Sequence, residues 1–136
     1  MAKPQLSSFS FTSKSGTKTG SSQEVISFDF GLSQNYDLSN KPSGLPVLNV
    51  INMVIKADNS TVFFDWMKSP LSEKHCVVEL RLEESVTRTI KMINAYCVSY
   101  SERFDNFSGT AFLFNIGIIA KELHVNDIIY KSQSEN

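Results

Sequence analysis

The sequence predicts a mainly β fold: an antiparallel β-barrel or tight sandwich of six to seven strands with one short α-helix at about residues 60–68. Three observations support this prediction. Segments typical of strands recur along most of the chain, turn-rich segments separate them, and one short segment has apolar residues at helical spacing. With 136 residues, 41% of them hydrophobic, the chain is predicted to form a single domain over residues 1–136.

The helix is predicted from the segment NSTVFFDWMKSP, residues 59–70. Asn59 and Ser60 are residue types that cap helix N-termini, and Pro70 cannot continue a helix. A helix this short is not stable alone in water, so we expect its apolar face to pack against the sheet. The residues that share that face are Val62, Phe63, Trp66 and Met67.

The strands are predicted from alternating or continuous apolar residues. In the second strand, Ile26, Phe28 and Leu32 are expected on one face and Val25 on the other. The last two strands are longer than usual, so a bulge or bend is expected, with Gly117 a plausible bend point. The strand-like segments are 5–12, 24–32, 47–55, 75–82, 88–104 and 107–125.

Several segments are predicted to be loops. Residues 13–23 contain only Gly, Ser, Thr, Lys, Gln and are expected to form an exposed hairpin loop. Residues 33–46 form a turn-rich connection that is longer than an ordinary hairpin loop, and such long loops are often functional. Residues 83–85 are expected to form a polar turn, and residues 130–136 a polar tail.

Composition excludes several classes of protein. The net charge is −1 and the chain has no Lys/Arg cluster, so a nucleic-acid partner is not expected. No apolar run approaches the roughly 20 residues of a membrane helix, so membrane insertion is not expected. The first residues lack the apolar core of a signal peptide, which predicts synthesis in the cytoplasm. The two cysteines are expected to be free thiols.

The residue types that carry chemistry form no recognisable site. His75 and Cys76 are adjacent, so in a strand they point to opposite faces and cannot form a dyad. Cys97 is expected to be a packing thiol, His124 a surface residue, and Glu122 a carboxylate without a partner. The motifs of metalloproteases, nucleotide-binding loops and hydrolases are absent from the sequence. We therefore predict no catalytic, cofactor or metal site.

Four segments, in order, resemble one family. The helix segment VFFDWMKSP, residues 62–70, is similar to the "LFEWM..P" helix of the type VI secretion tube proteins (Hcp, also called TssD), in their short-chain branch. Residues 94–104 resemble that branch's "AYCV.Y.E.F" strand, and residues 119–123 its late "SAKEI" segment. Lys41-Pro42-Ser43 resembles the "GRPS" of its long loop.

The resemblance implies a function as well as a fold. Members of this family are β-barrels with one helix, and six copies form a ring. The rings stack into a tube that a contracting sheath propels, with its tip and cargo, into a neighbouring cell. The chain is thus expected to be a structural protein, not an enzyme, with no cofactor. Its expected partners are copies of itself, sheath, baseplate and spike proteins, and effector cargo, and it is expected to leave the bacterial cytoplasm without a signal peptide.

The long loop is the predicted contact between subunits or rings. The residues assigned to this contact are Asn40, Lys41, Pro42, Ser43 and Gly44, and an ordinary exposed turn is the alternative. Two other functions remain open at this point. One is a tube subunit of another contractile injection particle or a phage-like tail, and the other, less favoured, is a small ligand-binding β-barrel or enzyme.

Overall fold

A computed structural model of the chain describes residues 6–13, 17–82, 85–107 and 111–132. These residues contain nine strands and one helix. In chain order they are β1 (Ser8–Thr12), β2 (Lys18–Asp29), β3 (Leu32–Ser33), β4 (Val47–Leu48), β5 (Ile51–Lys56), α1 (Val62–Lys68), β6 (Lys74–Leu82), β7 (Ser85–Asp105), β8 (Ala111–Val125) and β9 (Ile128–Lys131).

Seven of the strands form one antiparallel sheet that curls back on itself. Its order is β5-β2-β1-β6-β7-β8-β9, and β5 also pairs with β8. One edge of β8 therefore serves two strands, with residues 113–118 paired to β5 and residues 122–125 paired to β9. Because β9 lies outside the closed circuit, the fold is a curled sheet of six to seven strands with one helix and not a strict barrel. This confirms the predicted fold class.

The second strand differs from its prediction in two ways. β2 begins at Lys18, so the prediction of a loop was wrong for residues 18–23, which pair with β1. Residues 14–16 of that predicted loop lie outside the described residues. The expected face was also wrong before residue 27, because Val25 is buried whereas Ile26 is exposed, but it was right for Phe28, which packs against the core. A bulge between Val25 and Ser27 adds a residue and so reverses which side chains point inward.

The predicted strand 47–55 is interrupted. Val47 and Leu48 form β4 with β3, Asn49 and Val50 are irregular, and β5 then begins at Ile51. Within β5, the side chains of Ile51, Met53 and Ile55 are buried, as the alternation predicts. The break separates β4 from the main sheet and lets residues 31–49 project as a hairpin.

The long strands β7 and β8 bend at bulges, as their lengths predict. Asn94 has a φ of 52°, a positive value outside ordinary strand geometry, and it lies where the β6–β7 register shifts. A second shift lies between Cys97 and Ser99, opposite Gly117. A Cβ built on Gly117 would lie 2.4 Å from Ser99 Oγ, so the glycine permits this close approach.

The chain ends and turns add further corrections. Residues 128–131 form β9, so the prediction of a polar tail was wrong for Tyr130 and Lys131. Residues 133–136 of that tail, and Glu83 and Glu84 of the predicted polar turn, lie outside the described residues.

Candidate assembly surface

The surface most suited to contacts between subunits is a hairpin that projects from the sheet. We call residues 31–49 the arm. Its base is held by β3 pairing with β4 and by Asn49 N–H donating to Gly31 O at 2.9 Å. Ser33 Oγ also donates to Asn49 Oδ1 at 3.2 Å. The predicted loop over residues 33–46 is therefore an ordered hairpin with paired limbs.

The tip of the arm is built around one carboxylate. Asp37 Oδ1 accepts hydrogen bonds from Ser39 N at 2.9 Å, Ser39 Oγ at 2.8 Å and Lys41 N at 3.0 Å. The bond from the Lys41 backbone, followed by that from the Ser39 side chain, lowers the pKa of Asp37 below its ordinary value. Asn40 has a φ of 64°, a left-handed conformation that asparagine tolerates. These contacts fix the shape of an exposed turn.

The five residues predicted as a subunit contact all lie on the tip and the second limb of the arm. Pro42 forms an isolated bridge with Tyr36, and Ser43 N–H donates to Asn35 O at 2.8 Å. Gly44 O accepts a hydrogen bond from Gln34 Nε2 at 2.8 Å. Asn40 to Gly44 are exposed throughout, so the arm presents them to solvent.

Exposed apolar side chains occur along the whole arm, and the sequence prediction did not assign them to the contact. Leu38 at the tip is fully exposed. The others that are more than half exposed are Leu32, Tyr36, Leu45 and Val47. The Asn, Asp and Ser residues of the segment NYDLSN, residues 35–40, signal a turn, but they give no sign that the Leu38 side chain is exposed. An ordered segment with this many exposed apolar residues is typical of an interaction site.

The second limb of the arm continues into a groove beside β9. The groove is lined by Val47, Leu48, Ile119 and Tyr130, among others. Tyr130 Oη donates a hydrogen bond to Pro46 O at 3.0 Å. β9 is the last strand of the sheet order, so its outer edge has no partner strand within the described residues. An open strand edge next to exposed apolar residues favours pairing with another chain.

The helix, in contrast, anchors the fold. Phe63 and Trp66 are buried, and the Phe63 ring lies 5.5 Å from Phe9 and 5.7 Å from Phe114 between centroids. Trp66 Nε1 donates to Ser72 O at 2.8 Å, which satisfies the one polar atom of the buried indole. Met67 is 40% exposed, which corrects the expectation that it belongs to the helix core. Only Phe63 and Trp66 of the seven residues of α1 are buried, so the buried face of this short helix is narrow.

The start of the helix also differs in detail from the prediction. α1 begins at Val62, and Thr61 occupies the cap position without a side-chain capping bond. Ser60 Oγ instead accepts from Val62 N–H at 3.2 Å, and Asp58 Oδ1 accepts from Ser60 N–H at 2.9 Å. Polar residues therefore do satisfy backbone donors at this end, but as consecutive turns ahead of the helix.

The titratable residues make local pairs. His124 Nε2 lies 2.6 Å from Glu122 Oε1, so the prediction that Glu122 has no partner was wrong. The two are two residues apart in β8 and therefore share a face. Lys121 Nζ lies 3.0 Å from Glu73 Oε1, and Tyr96 Oη donates to the same carboxylate. The Tyr96 hydrogen bond, followed by that of Lys121, lowers the pKa of Glu73. All three side chains are accessible to solvent.

The cysteines are packing residues in this fold. Cys76 is fully buried and Cys97 is partly buried, and both are free thiols. Burial raises the pKa of each, which keeps the unreactive thiol form. Over the described ranges, no group of three or more His, Cys, Asp or Glu side chains is arranged to hold a metal ion. In the same part of the chain, no helix has the length and apolar character needed to cross a membrane.

Comparison with solved structures identifies relatives of this fold. Hcp1 from Flavobacterium johnsoniae superposes with a TM-score of 0.79 at 23% identity, over 94% of this chain and 100% of that one. An Hcp1 double mutant from the E. coli EAEC 042 pathovar gives 0.69 at 12% identity, over 92% and 95%. The secreted protein Hcp3 from Pseudomonas aeruginosa gives 0.64 at 10% identity, over 94% and 98%. At these identities the likeness shows a shared fold.

Comparison with protein families identifies the chain more directly. No curated protein matches its sequence. The model of the family described as hemolysin coregulated protein Hcp (TssD) matches residues 6–133, which is nearly the whole chain. This confirms the resemblance found in the four sequence segments. The chain belongs to the Hcp (TssD) family of type VI secretion tube proteins.

Proposed function

We propose that this chain is a structural subunit of the type VI secretion inner tube. Its copies assemble into hexameric rings, and the rings stack into a tube that carries effectors and is propelled by sheath contraction. Membership in the Hcp family supports the general role. The arm is the observation that supports assembly, because it combines a fixed shape with exposed apolar residues.

The arm is well suited to a head-to-tail contact. A closed ring requires one surface of each copy to fit a different surface of the next. The arm lies beside β9, whereas the outer side of α1 offers a different surface. On the outer side of α1, the Phe64 side chain is 55% exposed. Covering such residues would favour association through the hydrophobic effect.

Partners and location follow from the same proposal. The tube subunit would act as one domain, contact sheath, baseplate and spike proteins, and enclose effector cargo. It would assemble in the bacterial cytoplasm and leave the cell with the tube. The role requires no catalytic step by the chain itself, and the pairs of titratable residues described above are explained as surface contacts.

Oligomeric state tests the proposal most directly. We expect the purified chain to form hexameric rings, and stacks of rings at high concentration, in mass-resolved chromatography and electron microscopy. Leu38→Asp should weaken assembly without altering the fold, because the side chain is fully exposed and touches no core residue. Lys91→Ala, which changes an exposed residue away from the arm, serves as the control. A chain that stays monomeric across concentration and salt would overturn the proposal.

A further inference from the structure

The arm is attached to the body of the protein through a narrow base. Its two limbs meet the sheet at Gly31 and at the irregular residues Asn49 and Val50. The hydrogen bonds at the tip and along the limbs, including Ser43 N–H to Asn35 O, join arm residues to each other. Such bonds fix the internal shape of the arm. The angle at which it leaves the sheet depends on contacts with the body of the protein, one of which is the packing of Leu48 against the core.

A contact with β9 adds a restraint on the angle between the arm and the sheet. Tyr130 Oη donates to Pro46 O at 3.0 Å, which links residues 84 positions apart in the chain. The Tyr130 side chain also lines the clefts formed with Leu45, Val47 and Leu48 on the second limb of the arm. Its contacts therefore span the part of the arm nearest the sheet.

Tyr130 is itself held firmly. In the β8–β9 pairing it lies opposite Leu123, which is buried, and Ser132 N–H extends the pairing by donating to Lys121 O at 2.7 Å. The backbone of β9 is thus fixed on both sides of Tyr130. A phenol held in this way can restrain a more loosely attached hairpin, because it loses little conformational freedom when it forms the bond.

We propose that Tyr130 is a positioning residue, which holds the arm against β9 in the orientation that subunit contacts require. The arm bears the exposed apolar residues, and Tyr130 acts through it without needing to touch a neighbouring subunit. The link to assembly rests on the proposed function. The restraint on the arm is a property of the single chain and can be measured separately.

Hydrogen exchange of the full chain tests the restraint. Tyr130→Phe removes the hydroxyl and keeps the ring, and Tyr100→Phe, which removes a hydroxyl bonded to Glu102 away from the arm, is the matched control. We expect the Asn49 amide at the base of the arm to exchange about fivefold faster in Tyr130→Phe, the effect of losing one net hydrogen bond, and to be unchanged in the control. Unchanged exchange at Asn49 would overturn the proposal.

Two further readouts separate positioning from general stabilisation. If Tyr130 only stabilised the chain as a whole, its replacement would speed exchange of the Ser132 and Asn49 amides to the same extent, and this result would also overturn the proposal. The concentration at which half of the chain is assembled should rise about as much as the exchange rate, and an unchanged concentration would refute the link to assembly. Failure of the proposed function would appear differently, as a parent chain that remains monomeric, and exchange at Asn49 would still decide whether Tyr130 holds the arm.

Discussion

The core beneath α1 and the arm use apolar side chains in opposite ways. In the core, Trp66 and Phe63 lie among aromatic residues of β1 and β8, with the Trp66 ring 5.6 Å from Phe11. In the arm, Leu38 and Leu45 lie in solvent although the backbone around them is well ordered by hydrogen bonds. The core therefore gains stability within one chain, whereas exposed arm residues such as Leu38 and Leu45 can contribute only when another surface covers them.

This difference separates two kinds of mutational effect. Removing a buried side chain should lower the free energy of unfolding, and assembly should suffer only because less folded protein is available. Removing an exposed arm residue should leave the free energy of unfolding nearly unchanged and alter assembly directly. Four replacements test this separation, with expected effects on the stability of the single chain that range from several kcal/mol to nearly none.

Trp66→Ala should have the largest effect. The indole is 2% exposed and its Nε1 bond to Ser72 O would be lost, so we expect about 3–5 kcal/mol of destabilisation, as is usual for deletion of a buried large aromatic. Denaturant unfolding followed by circular dichroism measures this change. Phe64→Ala on the exposed side of the same helix is the control and should cost much less. Equal losses for both variants would show that the helix does not have one anchoring face.

Gly117→Ala should have the next largest effect. The new Cβ would lie 2.4 Å from Ser99 Oγ and 3.2 Å from Val50 Cγ1, so one or both must move. We expect a loss of about 1–3 kcal/mol in the free energy of unfolding, typical of overpacking. Adding Ser99→Ala removes the nearest atom and should restore part of the loss. A double-mutant cycle without coupling between the two positions would contradict this origin of the strain.

Prediction from the sequence was accurate where the spacing of apolar residues stays constant along a strand or a helix. β8 keeps its expected face, with Phe114, Ile116 and Ile118 buried. The prediction failed at the bulge near Val25, because one extra residue there changes which side chains face inward, and an alternating pattern cannot show where an extra residue will be accommodated. The polar strand at residues 18–23 was missed because its pairing with β1, and not its own apolar content, makes it a strand.

The candidate surface was predicted only in part. The prolines and the glycine around Asn40–Gly44 predicted a turn. The length of the connection indicated a functional loop. The exposure of Leu38 and Leu45 was not readable, because an apolar residue in a sequence is equally consistent with burial. The contact between Tyr130 and Pro46 joins distant segments, and local patterns carry no information about such pairs.

Replacement of Pro42, Ser43 and Gly44 by alanines should have little effect on stability. All three are exposed, so we expect the free energy of unfolding to change by less than about 1 kcal/mol. Assembly should weaken, because the predicted subunit contact would be altered. Paired measurements of unfolding and ring formation check this, with Lys56→Ala/Lys91→Ala as an exposed control away from the arm. Unchanged rings and tubes would remove these residues from the contact.

The smallest effect should come from Asp37, because its carboxylate orders only the tip of the arm. The hydrogen bonds from Lys41 and Ser39 lower its pKa below the ordinary value of 3.8 in the folded chain. A depressed carboxyl pKa contributes stability above its unfolded value, and that contribution is lost as the pH falls through the folded value. The Lys41 amide proton resonance should therefore shift as the pH falls below 3.8, whereas Asp37→Asn should show no such titration. A shift that persists in Asp37→Asn would assign the ordering of the tip to another group, and the fixed shape on which the contact surface of the arm depends would then need a different origin.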